Sequence, residues 1–450
     1  MAMAAVSPAR KAAFQILLAI EKTQAHSDDL LRGKSVSVLP AADRNLATAL
    51  VLGVLRWQIP LDCRIREFLD KPNARLDPEI HIALRLGAFQ LLYMDRIPAH
   101  AAIDESVELA KQAGHRFAAR MVNAVLRKVA GAPRSHGSVG SAEGAAINQT
   151  HPAWMVERWS RFYGADAAQV ICAHGQKKPM AAIRVEGPAV EDDLRNAGIE
   201  LGPGQLLNAA RVVTAGDVTG TVAFCEGRVR LQDEGSQLVA EIAGYGNSIL
   251  DCCAAPGGKT LVLAERNPQS RIVACEVNSQ RLKQLRERLA PLGERVECRL
   301  GDAAATTEQD AFDRVLADVP CSGTGTLGRN PEIRHRLRLE DFANQVDRQR
   351  AILHAALRVV RLGGRVVYST CSMEPEENEE VVAAVLAGAP SARVRPIKDR
   401  IEEMRGEGVL TGAGAENLSG CVTPEGYLRL FPGVFDTDGF FVAVLEKTND

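Results

Sequence analysis

Helical periodicity dominates the first part of the chain. Apolar residues recur at spacings of three and four over 46–55, 82–92, 103–110 and 117–129, a pattern that indicates helices with one buried face. Another helix is expected to start at Pro8, with Ser7 as its N-cap. Residues 1 to about 130 are therefore predicted to form an all-α bundle.

The pattern changes after this bundle. A stretch rich in Gly, Ser, Ala and Pro begins at 131 and is expected to be a linker, followed by short helices around 154–159 and 166–174. Short strands and one helix are predicted at 181–185, 190–197, 218–224 and 229–231. This part of the chain indicates a small α+β module.

Strands and helices alternate from 248 to the end of the sequence. Strands are predicted at 248–252, 271–276, 295–300, 313–318 and 365–370, with a closing strand at 439–445. Such alternation predicts a parallel, doubly wound sheet whose binding site lies beyond the carboxyl ends of the strands.

Composition narrows the class of protein but not its ligand. The 450 residues are 46% hydrophobic and 24% charged, with a formal net charge of -2, as expected for a globular protein of several domains. That charge neither requires nor excludes nucleic acid. No apolar run reaches the length of a membrane span, and the apolar stretch after Arg10 and Lys11 reads as an amphipathic helix, not as a signal peptide. We therefore expect a cytoplasmic protein that does not contact a membrane.

The cysteines do not indicate a metal or a disulfide framework. There are 10 of them, scattered along the chain without a Cys-x-x-Cys pair. In a reducing cytoplasm they are expected to remain thiols.

The first strand of the alternating region ends in a glycine turn. Gly258, Lys259 and Thr260 resemble the end of a nucleotide-binding P-loop, but Cys253 stands where that motif requires its first glycine. The dinucleotide motif Gly-x-Gly-x-x-Gly is also absent. What remains is a tight turn that lets a ligand approach the backbone closely.

Two acidic residues at strand ends favour a nucleoside ligand. Glu276 ends the second strand, 18 residues beyond Gly258, where a doubly wound fold places the carboxylate that binds ribose hydroxyls. Asp302 follows the third strand and could address an adenine edge. The alternative is that these acids are simply polar residues at the ends of the strands and bind no nucleoside.

Two cysteines follow neighbouring strands of the same predicted sheet. Cys371 comes directly after the strand at 365–370, and Cys321 lies in the loop that starts at Asp318, so both can reach one cleft. A thiolate that adds to C6 of a pyrimidine makes C5 nucleophilic towards an activated methyl group, and a second group can then remove the C5 proton. For any one cysteine alone, a buried structural role is the usual alternative.

These motifs resemble those of the RNA cytosine-5 methyltransferases, at 232–237, 253–260, 318–323 and 368–372. The N-terminal helices, with 43–48 and 53–56, are similar to the NusB-type RNA-binding domain. The resemblance implies a multidomain chain: a NusB-like helical domain at 1–132, a linker at 133–150, a small α+β module with an RRM-like part at 151–235, and a Rossmann-like S-adenosylmethionine-dependent catalytic domain at 236–450.

The same resemblance implies roles for individual residues. Cys371 is the expected nucleophile at C6, and Cys321 the residue that assists release of the methylated base. Glu276 stands where family members more often carry Asp, and its longer side chain should still reach the ribose. The residues expected to bind S-adenosylmethionine are Cys253, Ala254, Ala255, Pro256, Gly257, Gly258, Lys259, Glu276, Asp302 and Asp318.

The implied substrate is one cytosine of 16S ribosomal RNA, methylated by a monomer that needs no metal. A methyltransferase for another RNA and a non-catalytic NusB-like RNA-binding or assembly factor are the alternatives. Enzymes that methylate DNA take their nucleophile from the Pro-Cys loop, so Cys371 argues against DNA. A protein or small-molecule methyltransferase would leave the paired cysteines unexplained.

Two basic clusters are candidate RNA contacts. The first, in the last helices of the bundle, could follow a phosphate backbone, although a solvated charged face is an equal alternative. The second follows the Pro-Cys loop and is expected to line the rim of the cleft. The first cluster contains Lys111, His115, Arg116, Arg120, Arg127 and Lys128, and the second Arg329, Arg334, Arg336 and Arg338.

Overall fold

The structure is a computed structural model that describes residues 6–23, 25–133 and 150–448. These residues form two compact units. The helical unit comprises Met1–Lys178 together with Leu327–Arg336, and the sheet unit comprises Pro179–Thr326 and Leu337–Asp450. The predicted linker at 133–150 lies almost wholly outside the described residues, and the four domain boundaries stay a prediction.

Apolar stripes on successive helices build the core of the helical unit, as the periodicity predicts. Helix α1 begins at Pro8 after Ser7, but the Ser7 hydroxyl donates to Glu105 at 2.8 Å instead of capping the helix. The helices are α1 (Pro8–Lys22), α2 (Ser27–Leu31), α3 (Lys34–Ser37), α4 (Ala41–Arg56), α5 (Gln58–Arg66), α6 (Pro78–Tyr93), α7 (Ala99–Gln112), α8 (Ala119–Gly131), α9 (Ala153–Tyr163) and α10 (Ala165–Gln176).

A four-stranded antiparallel sheet opens the sheet unit, in the order β2-β3-β1-β4. One of the strands expected at 181–231 is wrong, because 218–224 is helical: the Asp217 and Thr221 side chains accept hydrogen bonds from backbone N–H groups and start two short helical turns. Its elements are β1 (Ala181–Val185), α11 (Pro188–Asn196), β2 (Glu200–Pro203), β3 (Ala210–Ala215), α12 (Val222–Cys225) and β4 (Val229–Leu231).

The remaining elements build a larger sheet with helices on both faces, except for α16, which belongs to the helical unit. They are α13 (Glu234–Ala243), β5 (Ser248–Asp251), α14 (Gly258–Arg266), β6 (Arg271–Glu276), α15 (Ser279–Leu289), β7 (Val296–Leu300), β8 (Phe312–Asp318), α16 (Ile333–Arg336), α17 (Asp341–Val359), β9 (Val360–Thr370), α18 (Glu379–Ala387), β10 (Ala392–Arg395), α19 (Ile397–Gly406), α20 (Gly412–Ser419), β11 (Leu428–Leu430) and β12 (Phe440–Lys447).

The strand order of this sheet is β10-β12-β9-β8-β5-β6-β7, with β11 paired to β12. The strands β5 to β9 run parallel, as predicted, whereas β10, β11 and β12 pair antiparallel. The sheet is therefore mixed, and the carboxyl ends of its five parallel strands lie along one edge. Within the described ranges no single helix is both long and apolar enough to cross a membrane. The bent helix pair α4 and α5 would be long and apolar enough when its two helices are taken together, a statement about length and composition only.

Candidate active site

The turn between β5 and α14 needs glycine. Gly257 has a φ of 98°, in the left-handed region, and α14 begins at the next residue. A Cβ at this position would lie 2.9 Å from Leu285 Cδ1. Behind the turn, the buried Asp251 accepts a hydrogen bond from Thr260 at 2.7 Å, and burial raises the pKa of its carboxyl to about 6. The tight glycine turn expected from the sequence is present.

A cleft follows the carboxyl edge of the five parallel strands. Its lining comes from 301–303 after β7, from 318–321 after β8, and from six residues near the ends of β5 and β6 together with one after β9: Cys252, Cys253, Ala255, Glu276, Val277, Arg281 and Cys371. Arg348 and Ile352 of α17 complete the lining. A doubly wound sheet is expected to bind its ligand at this edge.

Most of the residues singled out from the sequence meet in this cleft. The seven that line it are Cys253, Ala255, Glu276, Asp302, Asp318, Cys321 and Cys371. The five outside the lining, all in the turn or the first residues of α14, are Ala254, Pro256, Gly257, Gly258 and Lys259.

The two strand-end carboxylates are held by local hydrogen bonds. Glu276, only 4% exposed, accepts from Asn278 N at 2.8 Å and lies 3.7 Å from Arg281 Nη1. Asp302 accepts from Ala304 N at 3.0 Å. Both carboxylates are therefore fixed beside the cleft by backbone N–H groups close to them in sequence.

Lys259 does not line the cleft itself but forms an ion pair with Asp318, which does. Its Nζ donates to Asp318 at 2.7 Å, and the other Asp318 oxygen accepts from Ser369 Oγ at 2.7 Å. Burial by itself lowers the pKa of Lys259, but nearby negative groups, chiefly the Asp318 carboxylate, together outweigh burial and raise it above the usual value. Lys259 therefore stays charged and orients the acid that lines the cleft.

The structure brings two thiols together. Cys321 Sγ and Cys371 Sγ are 3.4 Å apart, although 50 residues separate them in sequence. Both are free, half-buried cysteines. The hydrogen bond to Cys371, followed by burial, raises the pKa of Cys321 well above its usual value. Cys321 is therefore a protonated thiol at neutral pH.

A buried carboxylate joins the two loops that carry these thiols. Glu377 has no exposed surface and accepts hydrogen bonds from the Ser322 hydroxyl, from Ser322 N at 2.8 Å and from Gln349 Nε2 at 3.0 Å. Ser322 Oγ lies 3.0 Å from Ser372 Oγ. Because each serine directly follows one of the two cysteines, the network fixes the separation of the two sulfurs.

Sequence reasoning missed Glu377 and two lining arginines. Glu377 lies in an acidic run that is typical of a solvated helix start, yet it is buried before α18 begins. Arg281 and Arg348 line the cleft from helices α15 and α17, where no motif distinguishes them from surface charges. In the described part of the chain, no group of three or more His, Cys, Asp or Glu is arranged to hold a metal ion.

The prediction that Arg334 is a rim contact for RNA is wrong. Its side chain is only 1% exposed and donates to Gly175 O at 2.8 Å and to Thr150 O and Leu327 O at 3.3 Å. Burial lowers its pKa to about 9. The guanidinium is thus committed to backbone carbonyls inside the helical unit.

The two residues after Arg334 are committed in the same way. His335 Nε2 donates to Leu55 O at 2.7 Å, and Arg336 donates to Ile20 O at 3.1 Å and Ala25 O at 2.6 Å. The accepting carbonyls of Leu55 and Ile20 lie in the last turns of α4 and α1, as that of Gly175 does in α10. Three consecutive residues therefore satisfy carbonyls at three helix C-termini.

Two family models match the chain. The model described as 16S rRNA methyltransferase RsmB/F matches residues 243–446, and the NusB family model matches 7–131. The predicted combination of a methyltransferase with a NusB-type domain is therefore confirmed.

The chain resembles two solved structures in fold. The crystal structure of PH0851 has a TM-score of 0.78 at 24% identity, covering 99% of this chain and 100% of that one. NSun6 from Pyrococcus horikoshii, whose crystal structure is described with SFG, has a TM-score of 0.55 at 19% identity, over 66% and 99% of the two chains.

Sequence similarity extends over almost the whole chain. The probable ribosomal RNA small subunit methyltransferase B of Bacillus subtilis (strain 168) is 33% identical over 97% of this chain and 98% of its own length. The chain therefore belongs to the ribosomal RNA small subunit methyltransferase B family.

Proposed function

We propose that this protein transfers a methyl group from S-adenosylmethionine to C5 of one cytosine in 16S ribosomal RNA. Cys371 is the proposed nucleophile, and Cys321 assists release of the product. The observation that carries the proposal is the 3.4 Å separation of the two sulfurs in a cleft that also contains Glu276, Asp302 and Asp318.

The cleft has the chemistry that a nucleoside cofactor requires. Glu276 offers a fixed carboxylate at the end of β6 for ribose hydroxyls, and Asp302 a second one after β7. Val277 and Ile352 add apolar surface for a base. When bound, S-adenosylmethionine supplies an electrophilic methyl group. SFG, named with the NSun6 structure, is an analogue of this cofactor.

The proposed reaction begins when the Cys371 thiolate forms a bond to C6 of the cytosine. C5 gains electron density and takes the methyl group, while the electron pair of the broken S–CH3 bond would stay on the sulfur of the donor, which leaves as S-adenosylhomocysteine. A base then removes the C5 proton, and the C6–S bond breaks, which restores the aromatic ring and returns the thiolate. Because its sulfur lies 3.4 Å from that of Cys371, Cys321 is well placed to assist this last step.

The target base must leave its stack to meet Cys371. A nucleotide inside an RNA helix cannot present C6 to a thiol at the edge of a sheet, so we expect the cytosine to be turned out into the cleft. Support for 16S rRNA as the substrate comes from the names of the similar proteins. We further propose that the enzyme acts as a monomer in the cytoplasm, on free or early-assembly RNA.

A methyl-transfer assay tests the proposal. Ribosomal RNA from cells that lack this protein is incubated with the enzyme and S-adenosylmethionine that carries a labelled methyl group, and 5-methylcytosine is mapped. We expect label at one cytosine with the wild type and with the control Cys225→Ala, whose exposed thiol lies in α12. Cys371→Ala should give none. Label with Cys371→Ala, or none with the wild type, would overturn the proposal.

A further inference from the structure

Glu377 is a buried acid without a cation beside it. Its side chain has no exposed surface, and within the described ranges no lysine, arginine or histidine forms an ion pair with it. Buried carboxylates are usually paired with a cation or a metal ion, because removing a charge from water is costly. Here three neutral donors take that place: the hydroxyl and the backbone N–H of Ser322 and the side-chain amide of Gln349. An arrangement that costs stability in this way points to a role in the adjoining cleft.

The three donors hold the Cys321 loop on both sides of its thiol. Ser322 comes directly after Cys321, and its N–H donates to Glu377 Oε1 at 2.8 Å. Pro320 comes directly before Cys321, and its carbonyl accepts from Gln349 Nε2 at 2.9 Å. The same Gln349 amide donates to Glu377 Oε1 at 3.0 Å. Glu377 thereby fixes both neighbours of Cys321, one directly and one through Gln349.

The loop that carries Cys371 has an anchor of its own. Asn378, the residue after Glu377, has no exposed surface, and its Nδ2 donates to Ser372 O at 2.9 Å. Among the described residues, the link from this loop to the Glu377 side chain is one contact of 3.0 Å between the hydroxyls of the two serines that follow the cysteines. Loss of the Glu377 side chain should therefore displace Cys321 more than Cys371.

We propose that Glu377 is a positioning residue for release of the methylated base, because it holds Cys321 where that thiol can assist the step. The inference rests on the proposed function and deepens it by separating release from attack. In release, the C5 proton passes to a base, the electron pair of the C5–H bond forms the C5–C6 double bond, and the C6–S electron pair returns to Cys371. Attack by Cys371 on C6 does not depend on Glu377.

Single-turnover kinetics test this inference, since they separate formation of the covalent protein–RNA adduct from its decay. The enzyme is mixed with S-adenosylmethionine and ribosomal RNA from cells that lack this protein, and samples are quenched in denaturant. Denaturing electrophoresis then measures the adduct over time. Glu377→Ala should form the adduct at the wild-type rate and lose it about 100-fold more slowly, the size of effect expected when a group is displaced by about 1 Å.

Three further variants define the role. Glu377→Gln removes the charge but keeps an oxygen for the N–H donors of Ser322 and Gln349, so it should restore most of the release rate. Asn378→Ala removes the anchor of the Cys371 loop and should slow adduct formation instead. The control is Glu380→Ala, which removes an exposed acid from the same acidic run and should behave as the wild type.

Thermal unfolding checks the fold of each variant, because Glu377 is buried. If Glu377→Ala does not fold, Ser322→Ala takes its place. This substitution removes only the hydroxyl that joins Glu377 to Ser372, and it should slow release without slowing adduct formation.

Three results would count against the account in different ways. Adduct decay at the wild-type rate in the folded variant, or equal slowing of formation and decay, would overturn the inference alone. Release as slow in Glu377→Gln as in Glu377→Ala would also overturn it, because charge and not position would then be responsible. No methyl transfer by the wild type would instead count against the proposed function.

Discussion

Helix α8 and the segment Leu327–Arg336 both belong to the helical unit, and both are rich in basic side chains. On α8, Arg120 and Arg127 are exposed and form no ion pair within the described residues. In the other segment, Arg334 is only 1% exposed and donates to three backbone carbonyls. The α8 cations are therefore accessible to a ligand, whereas the buried Arg334 stabilises the fold of the helical unit.

The difference lies in what surrounds each cation. The last carbonyls of a helix have no partner within the helix and carry partial negative charge, so a buried cation can satisfy them without a carboxylate. Arg334 and Arg336 meet such carbonyls in two different helices, and the neutral ring of His335 donates to a carbonyl of a third. No helix end accepts a hydrogen bond from the α8 cations among the described residues. Basic composition alone therefore does not identify an RNA-binding surface.

The largest expected effect is on folding. Arg334→Ala removes a buried side chain and leaves three carbonyls without their donor, so we expect the helical unit to lose about 3 kcal/mol or more of its free energy of unfolding. All three tryptophans, Trp57, Trp154 and Trp159, lie in this unit. Urea unfolding followed by tryptophan fluorescence therefore reports on it. A loss of less than about 0.5 kcal/mol in the free energy of unfolding is the usual size for a surface substitution. Such a result would contradict the distinction between the structural Arg334 and the exposed α8 cations.

An intermediate effect is expected from pH. Burial lowers the pKa of His335 to about 4 from 6.5, so the folded helical unit favours the neutral ring. The unfolded chain binds the proton first as pH falls, and stability is lost between pH 6.5 and 4. Allowing for partial exposure of the ring, we expect a loss of about 2 kcal/mol. His335→Gln should remove this part of the pH dependence in the same unfolding assay. An unchanged difference between pH 6.5 and 4 would show that the ring is not responsible.

The smallest expected effect is the stability change on α8. Arg120→Ala and Arg127→Ala should each alter the free energy of unfolding by less than about 0.5 kcal/mol, because neither side chain is buried or ion-paired. The fluorescence assay used for Arg334→Ala applies here unchanged. A loss comparable to that of Arg334→Ala would mean that the α8 cations are structural as well.

Much of the sheet was predictable because its pattern is local. Strand β6 occupies the predicted residues 271–276, and the turn at Gly257 follows from the two adjacent glycines. The approach of Cys321 and Cys371 follows from topology, since parallel strands of one sheet end at one edge. Strands β2 and β3 were not predicted, since they are mostly half-buried or exposed and lack the continuous buried run of β6.

What the sequence could not reveal depends on partners that are distant along the chain. Glu377 is buried because Ser322 and Gln349 donate to it, from 55 and 28 residues away. Arg334 is buried because Gly175 lies 159 residues away in sequence and accepts its hydrogen bond. Acidic and basic residues are both normally solvated. Only the tertiary structure therefore distinguishes Glu377 and Arg334 from ordinary surface charges.

The separate roles proposed for Cys371, as nucleophile, and Cys321, in product release, are tested most directly with Cys321→Ala. If Cys371 attacks C6 and Cys321 assists release, this variant should accumulate a covalent protein–RNA adduct in the presence of S-adenosylmethionine. Mass spectrometry of the digested adduct should locate the RNA on Cys371, and Cys321→Ala combined with Cys371→Ala should form none. Ready turnover by Cys321→Ala without a trapped adduct would contradict the release role, and RNA attached to another residue would contradict the choice of nucleophile.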